Sequence, residues 1–298
     1  MSHHHDHPTT NNSRVLLWSF LFIFIFMVVE IIGGLLTNSL ALLSDAGHML
    51  SDAAALGLSL LAFKIGEKSA TTSKTYGYRR FEIVAAFING ITLIAIALFI
   101  FYEAIQRFIA PPEVSGGMII IAVIGLAVNI IVAFMLMRGN SKENLNIRSA
   151  LLHVFADLAG SIGAIIAGLF ILLFGWNIAD PIASVLVATL ILISGYRVTR
   201  DALHILMEGK PEELDMDQLK AELSQLNGVD EVHDLHIWSI TSEFPSLSCH
   251  LVVESHTDRD ALLHRATRLL EKKFNVTHST IQMEGRGTRP HRECDTCR

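Results

Sequence analysis

A polytopic α-helical membrane protein carrying a small cytoplasmic α/β domain is the fold class that this sequence predicts, and three observations predict it. The mean hydropathy is +0.45 and only 17% of the 298 residues are charged, far too apolar for an ordinary soluble chain. The apolar residues gather into runs of bilayer length, about 20 residues each. After Gly209-Lys210-Pro211 the pattern changes to short amphipathic segments with charges between them.

Six runs have that length: Val15 to Leu36, Ser39 to Phe63, Ile83 to Tyr102, Met118 to Met137, Ser149 to Phe174, and Trp176 to Tyr196. Lipid satisfies no backbone N–H or C=O, so each run must be helical; barrel strands would be shorter and would alternate in polarity. The first run is too long for a signal-peptide core and is read as a retained helix. Loop charges give the orientation, because Lys and Arg in short loops stay on the cytoplasmic side. Lys64, Lys68, Lys74, Arg79 and Arg80 follow the second run, and Arg138, Lys142 and Arg148 follow the fourth, whereas Thr37-Asn38 and Gly175 to Ala179 carry no basic residue. Both termini are therefore expected in the cytoplasm. The net charge of −6 is spread rather than blocked and does not suggest nucleic acid.

The chain divides into a His-rich cytoplasmic head (1–13), a six-helix membrane domain (14–208), a cytoplasmic α/β metal-binding domain (209–287) and a terminal CxxC tail (288–298). In the α/β part, Asp215 to Leu226 has helical periodicity with Asp215 as N-cap. Strands are expected near Val229 to Thr241, Ser246 to Val253 and Thr277 to Met283, with a helix over Asp258 to Phe274. A domain of about 80 residues commonly gains stability from a metal or a partner subunit. Cys249, Cys294 and Cys297 all follow the sixth run, in a reducing compartment, where disulfides are not expected and thiolate ligation of a metal becomes possible.

Within the membrane, two runs repeat one pattern: His48-Met-Leu-Ser-Asp52 and His153-Val-Phe-Ala-Asp157. Four residues advance a helix by about 6 Å and return to nearly the same face. Each pair thus presents an imidazole and a carboxylate from adjacent turns, and two such helices side by side supply four ligands, a set that suits tetrahedral zinc. A central Asp costs about 2.5–3.5 kcal/mol on insertion scales, so a doubled pattern needs compensation, which a dication supplies. Polar groups that merely pack helices together are the plainer reading, and for a lone residue as good a one. Asp45, on the same face three residues before His48, is read as a partner behind the ligands, with entry group and alternative ligand left open. Glu30, Asn129 and Asp180 are read as interhelical hydrogen-bonding or capping groups.

These residues resemble the cation diffusion facilitator family, in its zinc-transporting branch of CzcD and ZitB types and the animal zinc transporters. The resemblance spans nearly the whole chain and rests on SLALLSDAGHMLSD in the second run, LHVFADLAGSIGA in the fifth, Asp180-Pro181, and VHDLHIW with HSTIQME in the tail. It implies a homodimer of six-helix protomers in a bacterial inner membrane, exchanging cytoplasmic zinc for protons, with a ferredoxin-like cytoplasmic domain. It implies His48, Asp52, His153 and Asp157 as the transport site, and the His-Asp pair on the second helix is associated with stricter zinc preference. The histidine-free loops Glu67 to Arg80 and Arg138 to Arg148 depart from relatives that bind metal there.

The tail carries His233, His236, His250, His278, Glu284, Cys294 and Cys297 on the side where free zinc would be sensed. Alternate strand residues share a face, so His278 can join Gln282 and Glu284 on one side of the last strand. The resemblance to the animal transporters implies His233, His250, His278, Glu284, Cys294 and Cys297 around zinc. It also implies that an N-terminal segment of the other protomer completes the site, a role that His3, His4, His5 and His7 could fill. That head is otherwise a remnant of a purification tag, although an interrupted HHHDH is unusual for one. His236 is open between ligation and a dimer contact. A zinc-gated channel or sensor is the competing function; a hydrolase is disfavoured because the sequence lacks HExxH and any recognisable nucleophile.

Overall fold

The computed structural model of the protein describes residues 10–66, 70–111, 113–114, 117–138, 145–241 and 244–285. Eight α-helices and three strands follow in the order α1 (Thr10–Thr37), α2 (Leu40–Gly66), α3 (Phe81–Ile109), α4 (Gly117–Arg138), α5 (Leu145–Phe174), α6 (Ala179–Leu206), α7 (Met216–Ser224), β1 (Val229–Thr241), β2 (Phe244–Val253), α8 (Arg259–Phe274) and β3 (His278–Gly285). The described residues form two units: those up to Lys64 with Ala85–Thr199, and Ile65–Val84 with those from Arg200 on.

Most of α1 to α6 builds the first unit, and its interior is assembled from small and branched residues at helical spacing. Ile23, Phe26 and Met27 of α1 pack with Met49 and Ala53 of α2. Ala41 and Leu42 of α2 share a cluster with Met118 and Ala122 of α4, Ala164, Ala167 and Ile171 of α5, and Ala179 of α6. Leu93, Ala97, Ile100 and Ala104 of α3 pack with Leu40, Ala188 and Ile191. Large apolar side chains such as Leu36, Ile109 and Phe174 face outward, the arrangement expected where the surrounding solvent is lipid. Among the described residues, Phe20–Thr37, Phe81–Ile109, Gly117–Phe134 and Ala179–Leu206 are long and apolar enough to cross a membrane. The sixth helix begins at Ala179, not at Trp176, because Gly175 takes a left-handed φ of 65° and the chain turns through Trp176 to Ile178 before α6 starts.

One buried polar network fixes the ends of four helices. The carboxylate of Asp180, at the start of α6, accepts from Ser39 Oγ (2.6 Å), Leu40 N (2.8 Å) and Ala41 N (3.2 Å). It thereby satisfies N–H groups that α2 leaves without intrahelical partners. Arg107 of α3 lies 3.6 Å from the same carboxylate and donates to Asn38 O at 2.6 Å, holding the α1–α2 turn where Asn38 has φ 56°. Asp180 is thus a capping group, as its position near a helix end suggested.

In the second unit, α7 and α8 lie with a three-stranded sheet of order β1-β2-β3. β1 and β2 are antiparallel and β2 and β3 parallel. Leu219, Leu223, Leu262, Ala266 and Leu270 cover one face, packing on Val232, Ile237, Leu247, Cys249, Leu251 and Val253. Asp215 and Asp258 cap α7 and α8 through their carboxylates. The element order is αββαβ, one strand short of the βαββαβ order of a ferredoxin-like domain. The segment before α7 contributes a single backbone bond to β1, Ser239 N–H to Gly209 O at 3.3 Å. Pro211, which has no N–H, keeps that segment from pairing further.

Candidate metal-binding sites

The first candidate lies where α2 meets α5. Asp45 is buried on α2 and its Oδ2 accepts from Ser161 Oγ of α5 at 3.4 Å. Ser161 in turn receives the amide of Asn129 from α4 at 3.4 Å. The close approach is possible because residue 160 is glycine: a Cβ there would stand 2.5 Å from Asp45 Oδ1. His48, one turn further along α2, lines a cavity of ≈ 330 Å³ together with Asp45, Gly160 and Gly163. Its remaining walls are apolar residues of α5 and α6, including Ile166, Phe170 and Leu186. Asp52 lies four residues beyond His48 on α2, and His153 and Asp157 lie on α5; the side chains of these three fall outside the described ones.

Gly160→Ala is expected to force Asp45 away from Ser161, with an overpacking cost of about 1–3 kcal/mol. Thermal unfolding in detergent reads that cost. The double variant Asp45→Ala/Gly160→Ala recovers most of it if the methyl acts on the carboxylate, and a cost unchanged by Asp45→Ala would place the strain elsewhere.

The second candidate is on the sheet. His233 of β1 pairs directly with His250 of β2, and their rings meet edge to face at 5.1 Å. Glu284 of β3 stands beneath both: Oε2 is 3.3 Å from His233 Nε2, and Oε1 is 3.1 Å from His250 Nδ1. Gln282 also donates to Glu284 Oε1 at 2.9 Å. Two imidazole nitrogens and one carboxylate oxygen therefore lie within 4.8 Å of one another, a borderline-soft donor set that fits zinc and leaves room for further ligands.

A β-bulge shapes this edge. Between the pairs His233–His250 and His236–Ser248, two residues of β1, Asp234 and Leu235, oppose one of β2, Cys249, and Asp234 adopts a left-handed φ of 49°. In a regular strand His233 and His236, three residues apart, would face opposite sides; the bulge returns both to the side of His250 and lets Val232 and Ile237 both enter the core. Asp234 then meets two imidazoles, His236 Nε2 at 2.9 Å and His250 Nε2 at 3.5 Å. The hydrogen bond from His236 holds the Asp234 carboxyl below its ordinary value against the opposing effect of desolvation, and the individually weaker fields of His236, His250 and His233 add to the lowering. Sequence reading passed over Asp234, whose signal was its place between two histidines in His-Asp-Leu-His.

The remaining expected ligands fare differently. His278 does share the β3 face of Gln282 and Glu284, but it stands six residues away, about 20 Å along a strand. There it contacts Tyr76 Oη at 3.3 Å and packs on the rings of Tyr76 and Phe244, so within one chain it is apart from the His233–His250–Glu284 group. Cys249 points into the core between the helices and the sheet, where burial pushes its thiol up to about 12, so it is no thiolate ligand. In a Cys294→Ser/Cys297→Ser background, alkylation of Cys249 at pH 8 is expected to be slow in the folded protein and fast in denaturant; equal rates would contradict its burial. Because that pKa is raised, the neutral thiol is favoured by folding, and stability falls as pH rises above the ordinary thiol value of about 8.5. Cys294, Cys297, His3, His4, His5 and His7 lie outside the described residues.

The sequence matches two family models in succession: the cation efflux transmembrane domain over residues 16–207 and the cation efflux protein cytoplasmic domain over residues 211–286. The chain belongs to the cation efflux, or cation diffusion facilitator, family. Its cation diffusion facilitator relatives include a Bacillus velezensis protein called a cadmium, cobalt and zinc/H(+)-K(+) antiporter, 53% identical over 95% of this chain and 92% of that one. The Escherichia coli zinc transporter ZitB is 44% identical over 95% and 93%. The Cupriavidus metallidurans metal cation efflux system protein CzcD is 39% identical over 95% and 89%. A family of cation transporters, not of enzymes, agrees with the sequence reading.

Proposed function

We propose that the chain exports zinc from the cytoplasm in exchange for protons, as a homodimer whose α1 to α6 all span a bacterial inner membrane with both termini inside. Zinc is bound in transit by His48, Asp52, His153 and Asp157, and in the cytoplasmic domain by His233, His250 and Glu284. The observation that carries this reading is the contact of Asp45 with Gly160 and Ser161. Asp45 meets Gly160 while Ala41 and Leu42, earlier on α2, share a cluster with Ala164, Ala167 and Ile171, later on α5, which supports an antiparallel course of the two helices. Continued inward by one turn, the same register brings His48 level with Asp157; by two turns, Asp52 level with His153. On this reading two imidazoles and two carboxylates come from two neighbouring helices. The names of the relatives support zinc as cargo, and the cytoplasmic family domain and the small αββαβ unit favour association in pairs.

Coupling follows from the donor chemistry. Zinc needs neutral imidazoles and ionised carboxylates, so protons and metal compete for the same side chains. A more acidic exterior therefore loads the emptied site with protons and drives zinc out, while the cytoplasm favours reloading. Alternating exposure of the site on the two sides completes the cycle. Asp45, held by Ser161, fixes the α2 backbone behind His48.

Zinc-dependent proton flux in proteoliposomes tests this, with cadmium and cobalt as competitors and with potassium present or removed. Saturable zinc uptake with stoichiometric proton counterflow is the expected result. Conductance far above carrier turnover, without proton coupling, would establish a zinc-gated channel instead.

A further inference from the structure

We infer that Asp234 is the positioning residue of the cytoplasmic metal site: its carboxylate receives the outer N–H of His250 and so decides which imidazole nitrogen faces the metal. The inference rests on His233, His250 and Glu284 being ligands, as proposed above. His250 has one nitrogen on each side of the question. Nδ1 lies 3.1 Å from Glu284 Oε1, inside the donor group, and Nε2 lies 3.5 Å from Asp234 Oδ2, outside it. An ionised carboxylate accepts but cannot donate, and a neutral imidazole has a single N–H. When that N–H is on Nε2 and directed at Asp234, the lone pair is on Nδ1 and directed at the space shared with His233 Nε2 and Glu284. The other oxygen of Asp234 is occupied by His236 Nε2 at 2.9 Å, so His236 holds the carboxylate from behind, and His236, Asp234 and His250 stand in line toward the metal.

Backbone geometry supports a dedicated role. Asp234 sits at φ 49° in the middle of β1, in the left-handed region that Asp and Asn tolerate best among non-glycine residues. Without the bulge, the residue after His233 would point to the core face, away from His250. Carboxylate partners of this kind fix the ring and raise ligand basicity, and their loss weakens metal binding by about 10–100-fold.

The test uses the full chain in nanodiscs with 15N-labelled histidine. Asp234→Asn keeps a residue suited to positive φ but removes the charge, and Asp234→Gly relieves the backbone while removing the acceptor altogether. Zinc affinity is read by competition with a chromophoric chelator, with His250→Ala defining the share due to the cytoplasmic site. The nitrogen by which His250 binds is read from its ring 15N shifts in the zinc-loaded protein. The expected result is zinc on Nδ1 with the N–H on Nε2 in the wild type, a mixture in Asp234→Gly, and about 10–100-fold weaker zinc binding in Asp234→Gly with a smaller loss in Asp234→Asn. Wild-type affinity and an unchanged His250 spectrum in both variants would overturn the role of Asp234. An affinity unaltered by His250→Ala would overturn it differently, by removing the cytoplasmic site on which it depends.

Discussion

Asp157→Ala is expected to reduce proton-driven zinc transport in proteoliposomes by about 100-fold or more while the protein still folds, and His153→Ala is expected to do the same. The reasoning is electrostatic. Each of these side chains would supply one of four donors in a water-poor environment, where a dication cannot recruit a solvent ligand at little cost, and removing one leaves three donors and a changed net charge. The zinc site would then release its cargo before the helices rearrange. The same variants should leave the thermal unfolding profile close to that of the wild type, because a deleted carboxylate removes an unfavourable buried charge as well as a ligand. Transport at the wild-type rate in either variant would remove the α5 pair from the mechanism.

Asp180→Ala should act in the opposite way, on stability rather than on metal chemistry. Its carboxylate accepts three hydrogen bonds at the start of α2 and faces Arg107, and all of these groups are buried. Truncation would leave Glu103, 3.1 Å from Nε, as the carboxylate partner of Arg107 and the first N–H groups of α2 without an acceptor, a loss of about 1–3 kcal/mol. Detergent-solubilised Asp180→Ala is expected to unfold at a markedly lower temperature than the wild type. Asp180→Asn, which keeps one acceptor oxygen, should fall between them. Unfolding of Asp180→Ala at the wild-type temperature would mean that α2 is held by other contacts.

Much of the fold was legible because lipid and strand physics leave strong marks on sequence. The apolar runs gave the middle of each of the six helices, although α3 and α6 extend seven and ten residues beyond them, and the pattern after Pro211 gave two strands, a helix and a third strand close to their observed bounds. Where the reading fell short, a backbone irregularity was responsible. Gly175 delayed the start of α6. The segment around Gly209 and Pro211 did not become the further strand that a ferredoxin-like order requires. The bulge that turns Asp234 toward His250 carries no mark in the local apolar pattern. His278 illustrates a different limit: alternation correctly predicted its face, but a face extends along the whole strand, and distance along it decides which side chains can share an ion.

The sequence by itself determined what kinds of chemistry are present and at what depth: paired imidazoles and carboxylates one helical turn apart on two apolar segments, and a histidine-rich soluble tail. Those follow from composition and period, which are local properties of the chain. Only the tertiary structure decided which of these groups meet. The approach of Asp45 to Gly160, the convergence of His233 and His250 on Glu284, and the turn of Asp234 toward His250 each join residues distant in sequence. Such contacts are set by helix register, strand pairing and a single left-handed residue, because the packing of whole elements, not the preference of any one segment, fixes where their side chains point.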